Sequence, residues 1–366
     1  MYNISKTKKI TYRLLIAAVM ACGLFASCDE AIYDYEGDCK TKVQVKFRYD
    51  RNMKWADAFA SEVTSVHLFA FDKNNILVWS GSESGEALKK DGYAMTVDLP
   101  AGDYHLLAWC GLDNPVSAER HFNIPDVKVG STTLKEMKCR MERERDEAGA
   151  CSTRRLTPLF HGAVDINIPD VDTGETFTYP VSLTKNTNHV RVILQHLNGE
   201  PVDVNKFKFI IEEENGLMGH DNALLPDEGI TYRPYHVGSG TANLGIDDYP
   251  RPGEKSKGSK ATIESVSVAI ADLSIARLVS GRKSYLSIHS TDDKRLVARI
   301  PLTDYALLLK DGYEHEMTDQ EYLDREDDYS LTFFLDEKDY WLSSSIIINS
   351  WRLVFNEMDF NTLSHK

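Results

Sequence analysis

A cysteine near the N-terminus carries the clearest chemical signal in the sequence. Cys28 follows Phe25-Ala26-Ser27, and these residues close an apolar run that begins at Leu14. Small residues directly before a cysteine are what a lipoprotein signal peptidase requires, so Cys28 would become the first residue of the mature protein. We predict that Cys28 then carries a diacylglyceryl thioether and an amide-linked acyl chain. Three acyl chains hold a protein on a membrane durably, whereas a single chain exchanges off.

The residues around this cysteine are typical of a removable targeting segment. Four basic residues precede the apolar run, and the run is too short to span a bilayer permanently. We therefore predict a lipoprotein signal peptide over residues 1–27 and a lipidated linker over residues 28–40. The alternative is an ordinary cleaved secretory signal in which Cys28 is incidental.

The two residues after Cys28 bear on which membrane holds the lipid. Asp29 and Glu30 resemble the surface-export signal of lipoproteins in Bacteroidales. In enteric bacteria, an aspartate at this position would instead retain the protein in the inner membrane. We predict a protein that is held on the outer membrane by its N-terminal lipid and exposed at the cell surface, and the leaflet stays open.

Length and charge limit the partners of the mature protein. Removal of the signal peptide leaves 339 of the 366 residues, which is enough for two domains, and changes the net charge from −14 to −18. Such a surface repels phosphate, so we expect neither nucleic acid nor an anionic bilayer surface as a partner. No later segment has the apolar length of a transmembrane helix, which makes the lipid the predicted anchor.

Four further cysteines are candidates for disulfide bonds in an exported chain. They are Cys39, Cys110, Cys139 and Cys151. An even number of cysteines outside the cytoplasm favours one or two bridges, but the three possible pairings cannot be told apart from the sequence. None of the cysteines has the close paired spacing of a zinc or redox site, so we predict no metal centre.

Short strands dominate the rest of the chain. Val43, Val45 and Phe47 alternate with polar residues, which is the period of a half-buried strand. Strand patterns at residues 65–71 and 76–79 flank a turn and predict a hairpin, and those at 93–99 and 104–110 predict another across residues 100–103. Many short strands and few helical patterns predict an all-β fold.

The middle of the chain separates two sets of strands. Residues 112–155 are rich in charge, and Thr133 with Glu136 fits a capping box for a short helix that covers the first sandwich. Two more short helices are predicted at 303–310 and from Thr318. We predict an N-terminal β-sandwich domain at 41–160 and a C-terminal β-sandwich domain at 161–366.

Motifs for catalysis are largely absent. The sequence has no nucleophile elbow, no H-E-x-x-H zinc motif and no phosphate loop in the required strand context. Acidic runs such as Glu212-Glu213-Glu214 and Asp327-Asp328 are expected by chance among 56 acidic residues, although glycoside hydrolysis would need such carboxylates. We predict that the protein is not an enzyme and uses no cofactor and no small-molecule substrate.

Five longer segments of the chain carry a family resemblance. They are residues 39–71, Leu159-Phe160-His161-Gly162, Leu183-Thr184-Lys185-Asn186-Thr187-Asn188, Gln320-Glu321-Tyr322-Leu323-Asp324-Arg325 and Ile346-Ile347-Ile348-Asn349-Ser350-Trp351. These segments resemble the FimB-type and Mfa-type fimbrial anchor subunits of Bacteroidales, occur in the order of that family and span nearly the whole mature chain.

This resemblance implies two tandem transthyretin-like β-sandwiches and a lipid-anchored base for a fimbrial polymer. The implied partner is a fimbrial shaft subunit, and the implied role is to attach the fimbria and limit its length. In shaft subunits of such fimbriae, a strand of one subunit completes the sheet of its neighbour after proteolysis has removed an N-terminal strand. An anchor that keeps this strand would have one protected groove and one site for the adjacent subunit.

Two other functions stay open. A surface lipoprotein of this architecture could instead bind glycans or act as a tip adhesin, since five tryptophans and seventeen tyrosines could form a sugar platform, although such residues are usually core. A lipoprotein hydrolase would need facing carboxylates or a nucleophile and base within hydrogen-bond reach, and nothing in the sequence brings such a pair together.

Overall fold

The computed structural model describes residues 42–113, 119–171, 174–244, 264–313, 316–349 and 351–354. Strands form most of the regular structure in these ranges. In the first half, the strands are β1 Lys42–Arg48, β2 Ser65–Phe71, β3 Leu77–Ser84, β4 Met95–Val97, β5 Gly102–Cys110, β6 Phe122–Asn123, β7 Lys138–Met141, β8 Glu144–Asp146, β9 Gly149–Ser152, β10 Phe160–Ile168, β11 Thr176–Ser182 and β12 Thr184–Lys185.

Two sheets form the N-terminal sandwich. One has the order β11-β1-β4 and the other the order β12-β10-β5-β2-β3. The alternation at Val43, Val45 and Phe47 buries these side chains between the two sheets, as the sequence predicts. Strand β2 forms over the predicted residues and pairs with β3 in the predicted hairpin, with a bulge between Ala70 and Phe71.

The second predicted hairpin is wrong. Strand β4 pairs with β1 in one sheet, while β5 lies between β10 and β2 in the other. The turn at residues 100–103 therefore crosses from one sheet to the other. Proline and glycine provide the same turn dihedrals in both kinds of connection, so the local sequence does not distinguish them.

The predicted domain boundary between residues 160 and 161 does not agree with the strand pairing. It falls within β10, which runs antiparallel to β5 along its whole length. Strand β11 runs parallel to β1, and Val181 and Leu183 lie in the core of the N-terminal sandwich. Residues 160–185 thus complete the first sandwich rather than begin the second, because their pairing partners lie far away in the sequence.

The charged middle segment covers the outer face of the five-stranded sheet, but mainly with strands. Thr133 and Glu136 form the predicted capping box, and the Thr133 N–H donates to Glu136 Oε2 at 2.7 Å. The predicted short helix is only the 3₁₀ segment Leu134–Glu136, and the chain continues directly into strand β7. Strands β6 and β7 form a small sheet that packs on Trp109.

The C-terminal sandwich uses the remaining elements. Its strands are β13 Thr187–His196, β14 Phe207–Glu213, β15 Leu217–Gly219, β16 Ile230–Tyr232, β17 His236–Leu244, β18 Glu264–Ala276, β19 Tyr285–Ser290, β20 Leu296–Pro301, β21 Asp328–Leu335, β22 Trp341–Ile348 and β23 Trp351–Val354. Its two six-stranded sheets have the orders β17-β18-β13-β21-β22-β23 and β20-β19-β14-β16-β9-β8, and β15 joins β7 in the small sheet.

Helices are short in the described ranges. The α-helices are α1 Phe59–Glu62, α2 Leu302–Leu307 and α3 Asp319–Arg325, and the other 3₁₀ turns are Gly85–Lys89, Val204–Lys206 and Lys310–Gly312. Helix α3 begins as predicted, because the Thr318 hydroxyl accepts a hydrogen bond from the Glu321 N–H at 3.1 Å. The predicted class is confirmed: the chain is all-β, with two tandem transthyretin-like β-sandwich domains and short helical insertions.

Candidate functional site

Strand β1 occupies an inner position in its sheet. It pairs in parallel with β11 over Lys42–Arg48 and antiparallel with β4 over Val43–Val45. Its alternate side chains are almost inaccessible, with relative exposures of 3% for Val43, 0% for Val45 and 2% for Phe47. The chain's own first described strand therefore fills the groove between β11 and β4.

This groove is apolar and suited to an extended segment. Phe47 stacks between two rings, with centroid distances of 5.9 Å to Phe59 and 6.4 Å to Tyr93. Without β1, the inner edges of β11 and β4 would lose their backbone partners. Only a strand with alternating apolar side chains would satisfy both the backbone and the groove, which is the chemistry of strand addition.

The loop after β1 leads directly to the second sandwich. Asn52 shapes this loop, because its side-chain amide donates to the carbonyl of Tyr49 at 2.8 Å and to that of Ala56 at 2.7 Å. The loop presents Trp55, whose ring lies 3.8 Å from the guanidinium carbon of Arg325 in α3. The strand that fills the groove is thus continuous with a contact between the two sandwiches.

A buried lysine forms an ion cluster at this junction. Lys185 in β12 lies 2.9 Å from Glu62 in α1 and also pairs with Asp327, which directly precedes β21. Burial alone would lower the pKa of Lys185. The carboxylates of Asp327 and Glu62 outweigh this effect, and the pKa of the amine is raised above its usual value. The cluster joins charged groups from both sandwiches.

A second ion pair fixes helix α3 to strand β18. Arg277, directly after β18, donates to both oxygens of Asp324, at 2.7 Å and 2.9 Å, with side-chain exposures of 10% and 13%. The same guanidinium donates to the carbonyl of Asn222. Gln320 supports the pair, because its amide donates to Asp324 at 2.8 Å. Bidentate geometry with extra donors is the arrangement in which a buried pair is held rigidly.

Glu326 is the carboxyl at the junction with the most unusual environment. Burial raises its pKa to about 7, and the neighbouring negative charges of Asp327 and Asp328 act in the same direction. The backbone N–H of Asp328 donates to it at 3.3 Å and partly opposes this effect. Near neutral pH, Glu326 therefore changes its charge within the contact between α3 and β21.

A cleft of about 760 Å³ opens beside the Lys185 cluster. Its floor contains the buried carboxylate of Asp272, which lies 2.7 Å from Arg191, 3.1 Å from His236 and 3.3 Å from His189. Tyr235 forms part of its wall. Arg191 and the nearby histidines hold the pKa of Asp272 below its usual value although burial opposes this.

The acidic runs considered for catalysis are held in ion pairs. Asp327 pairs with Lys185, and Asp328 lies 2.9 Å from His189. Glu213 is buried, with a raised pKa caused by desolvation, and lies 3.5 Å from Arg282. Paired carboxylates of this kind stabilise structure. In the described ranges, no group of three or more His, Cys, Asp or Glu side chains could hold a metal ion.

The sequence-predicted site residues are largely separate from this junction. Cys28 and Cys39 lie outside the described residues, as do residues 1–27 and 28–40. Cys110, Cys139 and Cys151 are buried free thiols in β5, β7 and β9. A bridge that involves Cys39 stays a prediction. No helix in the described ranges is long and apolar enough to cross a membrane.

The segments on which the family resemblance depends meet at this junction. The amide side chain of Asn186 donates to Asn222 at 2.6 Å, and its backbone N–H donates to the carbonyl of Leu159 at 2.7 Å. Trp55 contacts Arg325 of α3, as described above. These contacts were not predictable from the sequence, although charged or amide residues inside apolar strand patterns, such as Lys185, were a signal of buried polar pairing.

The fold defines a protein of two β-sandwich domains in which the chain's own strand β1 completes the first sandwich. The family model described as "Fimbrillin-A associated anchor proteins Mfa1 and Mfa2" matches residues 35–357, and the chain belongs to this family. The predicted resemblance is therefore confirmed.

Characterised relatives and solved structures agree with this assignment. The minor fimbrium anchoring subunit Mfa2 of Porphyromonas gingivalis is 30% identical over 207 residues, which cover 53% of this chain and 59% of that protein. A candidate adhesin from Bacteroides thetaiotaomicron is 30% identical with a TM-score of 0.73, covering 88% of this chain and all of that one. A structure from the same species, described as candidate polysaccharide-binding proteins, is 32% identical with a TM-score of 0.70, covering 87% and 99%.

Proposed function

We propose that this protein is the lipid-anchored base of a fimbria. It attaches the fimbrial polymer to the outer membrane and limits the length of that polymer. Membership of the anchor family supports the attachment, and one structural observation carries the rest: β1 is in place, paired on both sides and buried. A subunit whose groove is already filled cannot accept a donor strand there, so polymer growth stops at this subunit.

The contact with the adjacent subunit uses strand addition. Backbone hydrogen bonds supply continuity between the two sheets, and alternate side chains supply specificity. The junction between the sandwiches supports the anchoring role, because a force on the polymer is transmitted to the membrane through the two sandwiches and the linker. The Lys185–Asp327 ion pair and the contact of Arg325 with Trp55 cross between the sandwiches and resist a change in the angle between them.

Cys28 supplies the membrane anchor in this proposal. Cys28→Ala should leave the signal peptide uncleaved by the lipoprotein peptidase and remove the acyl chains, so that the protein and its fimbriae are lost from the outer-membrane fraction. Cys22→Ala is the matched control, because Cys22 lies inside the apolar run and should be removed with the signal peptide. Intact mass of the membrane-bound protein reads out the lipid directly. An acylated Cys28→Ala protein would refute this assignment.

The anchor role itself is tested by deleting the gene in its native host. We expect long fimbriae that detach into the medium, and complementation should restore short, cell-bound fimbriae. The purified full-length protein should also bind the shaft subunit of the same fimbria. Fimbriae of unchanged length and attachment in the deletion strain would contradict the proposal.

A second candidate function is adhesion to a glycan. It is favoured by the relatives described as a candidate adhesin and as candidate polysaccharide-binding proteins. The cleft beside Asp272 and Tyr235 is large enough for a sugar unit, although its charged groups are already paired. Binding of the purified protein on a glycan array, lost in Tyr235→Ala without loss of shaft-subunit binding, would establish this function.

A further inference from the structure

The outer edge of the five-stranded sheet offers free backbone groups. The Gly85 N–H donates across to the carbonyl of Thr64 at 3.0 Å. Together with the register of β2 and β3, this bond shows which residues of β3 form hydrogen bonds to β2. In an antiparallel pair only every second residue bonds across. Trp79, Gly81 and Glu83 therefore bond to β2, while the N–H and C=O groups of Ser80, Ser82 and Ser84 point away from the sheet.

Most of these outward groups find no partner among the described residues. Among the described residues, no bond reaches the backbone of Ser80 and Ser82, whereas the Ser84 carbonyl caps the 3₁₀ turn Gly85–Lys89, and the three serine side chains are exposed. We call this strip, residues 80–84, the Ser80–Ser84 edge. Ser80 and Ser82 each present one donor and one acceptor, and Ser84 presents one donor, at the spacing that an added strand requires.

Most other sheet edges in the described ranges are blocked or short. Edge strand β11 carries Pro180 at a position whose N–H would point outward, and β20 ends at Pro301 in the same orientation. Strands β4, β6, β8, β12 and β15 have two or three residues each, and β23 has four. Among the edge strands of the described ranges, only β17, with nine residues, reaches the eight-residue length of β3.

The Ser80–Ser84 edge lacks these protective features. It contains no proline, no lysine and no bulge, since the one irregularity of β3 lies before it. Its outward-bonding residues are all serines, which do not obstruct an approaching backbone. Natural proteins usually block an edge of this kind, so an open one points to a use.

The chain itself already adds a short segment to the start of β3. The Leu77 N–H donates to the carbonyl of Thr132 at 2.8 Å, and the Gly130 N–H donates to the carbonyl of Leu77 at 2.7 Å. The segment then turns away, so the added pairing does not continue past Leu77. An extended segment from another chain could continue it along the Ser80–Ser84 edge.

Aromatic rings determine which side chains would fit there. The ring of Trp79 lies over Gly81, where a Cβ would be only 2.5 Å from it, and Trp79 is only partly buried. Tyr93 lies nearby, with its hydroxyl 3.0 Å from Glu83, and is also partly buried. An added strand would place every second side chain beside these rings, so these side chains should be apolar.

We propose that the Ser80–Ser84 edge is the docking site for an extended segment of the adjacent fimbrial subunit, one with alternating apolar side chains. This inference rests on the proposed function. Because β1 already fills the groove between β11 and β4, the contact must use an outer edge, and the Ser80–Ser84 edge is long and carries no blocking residue.

The sharpest test removes one outward N–H. In full-length lipidated protein held in detergent, Ser82→Pro deletes this donor and puts a ring at the edge, while pairing to β2 stays intact. We expect at least a tenfold loss of affinity for the purified shaft subunit. Ser82→Ala is the matched control, because it loses the same hydroxyl but keeps the N–H, and its affinity should equal that of the wild type.

Two further measurements make the outcomes distinct. Far-UV circular dichroism and thermal unfolding of Ser82→Pro should match those of the wild type, and a photo-crosslinker on Ser82→Cys should capture the shaft subunit. Wild-type protein that binds no shaft subunit would refute the proposed function. Three outcomes would overturn this inference and leave the proposed function standing. The Ser82→Pro variant binds the shaft subunit as tightly as the wild type, the shaft subunit crosslinks only to residues 236–244, or sedimentation shows that the protein associates with itself through β3.

Discussion

The junction between the sandwiches and the Ser80–Ser84 edge differ in whether their polar groups have partners within the chain. At the junction, largely buried charged side chains such as Lys185 and Arg277 are each paired with one or more carboxylates. At the edge, the outward backbone groups of Ser80 and Ser82 have no partner among the described residues, and their side chains are small. The polar groups of the junction are satisfied within the chain, whereas those of the edge can bond to another chain.

This difference shows what the recognisable sequence segments do. Residues 183–188 and 320–325, on which the family resemblance depends, hold the two sandwiches together through the Lys185–Asp327 pair and the contact of Arg325 with Trp55. The edge consists of Ser-Gly-Ser-Glu-Ser, which matches no motif. A specific buried polar network needs particular residues, whereas strand addition needs only free backbone and the absence of obstruction.

The largest effect on stability should come from breaking the buried pair at the junction. Arg277→Ala leaves the largely buried Asp324 carboxylate without its cationic partner and the carbonyl of Asn222 without the Arg277 donor, and we expect the free energy of unfolding to fall by about 3–5 kcal/mol. Urea denaturation of the purified protein measures this change.

Two controls separate the loss of a partner from the loss of a charge. The double variant Arg277→Met, Asp324→Leu should recover much of the stability, because it leaves no unpaired buried charge. Glu86→Ala removes the exposed Lys89–Glu86 pair beside β3 and should leave stability unchanged. An Arg277→Ala protein as stable as the Glu86→Ala protein would mean that the junction is not held by this pair.

Local sequence patterns predicted individual elements of the fold but not their pairing. The alternation in β1, the range of β2 and the Thr318 cap all depend on neighbouring residues and were predicted. The separation of β4 from β5 and the place of β10 in the first sandwich depend on partners distant in sequence. Periodicity contains no information about such partners.

The same reasoning applies to the candidate site. A cleavage motif is local, so Cys28 could be singled out from its neighbours, and its lipidation stays a prediction. The pairing of Lys185 with Glu62 joins residues 123 positions apart, and the Arg277–Asp324 pair spans 47 positions. Only the fold brings these groups together. In the same way, the direction of the Ser82 backbone N–H can be assigned only once the register of β2 and β3 is known.

A smaller, pH-dependent effect should distinguish Glu326 from the paired carboxylates around it. Its pKa of about 7 in the fold exceeds the ordinary glutamate value of 4.5, so the folded protein binds the proton more tightly than the unfolded chain does. Stability from this group is therefore complete below pH 4.5, falls between pH 4.5 and 7, and is lost above pH 7.

Glu326→Gln should remove this dependence. The variant should match the wild type at pH 4 and exceed its free energy of unfolding by about 1–3 kcal/mol at pH 8. The difference between the two proteins is the quantity to follow, because other carboxylates change the absolute stability over the same range. A difference that does not vary with pH would show that the fold does not raise the pKa of Glu326.

The smallest effect on stability should occur at the Ser80–Ser84 edge. Ser82→Pro removes an N–H that has no described partner and changes no buried contact, so we expect the free energy of unfolding to change by less than about 0.5 kcal/mol. Glu83→Pro, one residue later, removes an N–H that bonds to β2 and should cost several times more. If both prolines destabilise the protein equally, Ser82 is bonded within the chain and the edge is not open. If only Glu83→Pro does, the outward N–H of Ser82 is established as free independently of any partner, and the contrast with the closed junction holds.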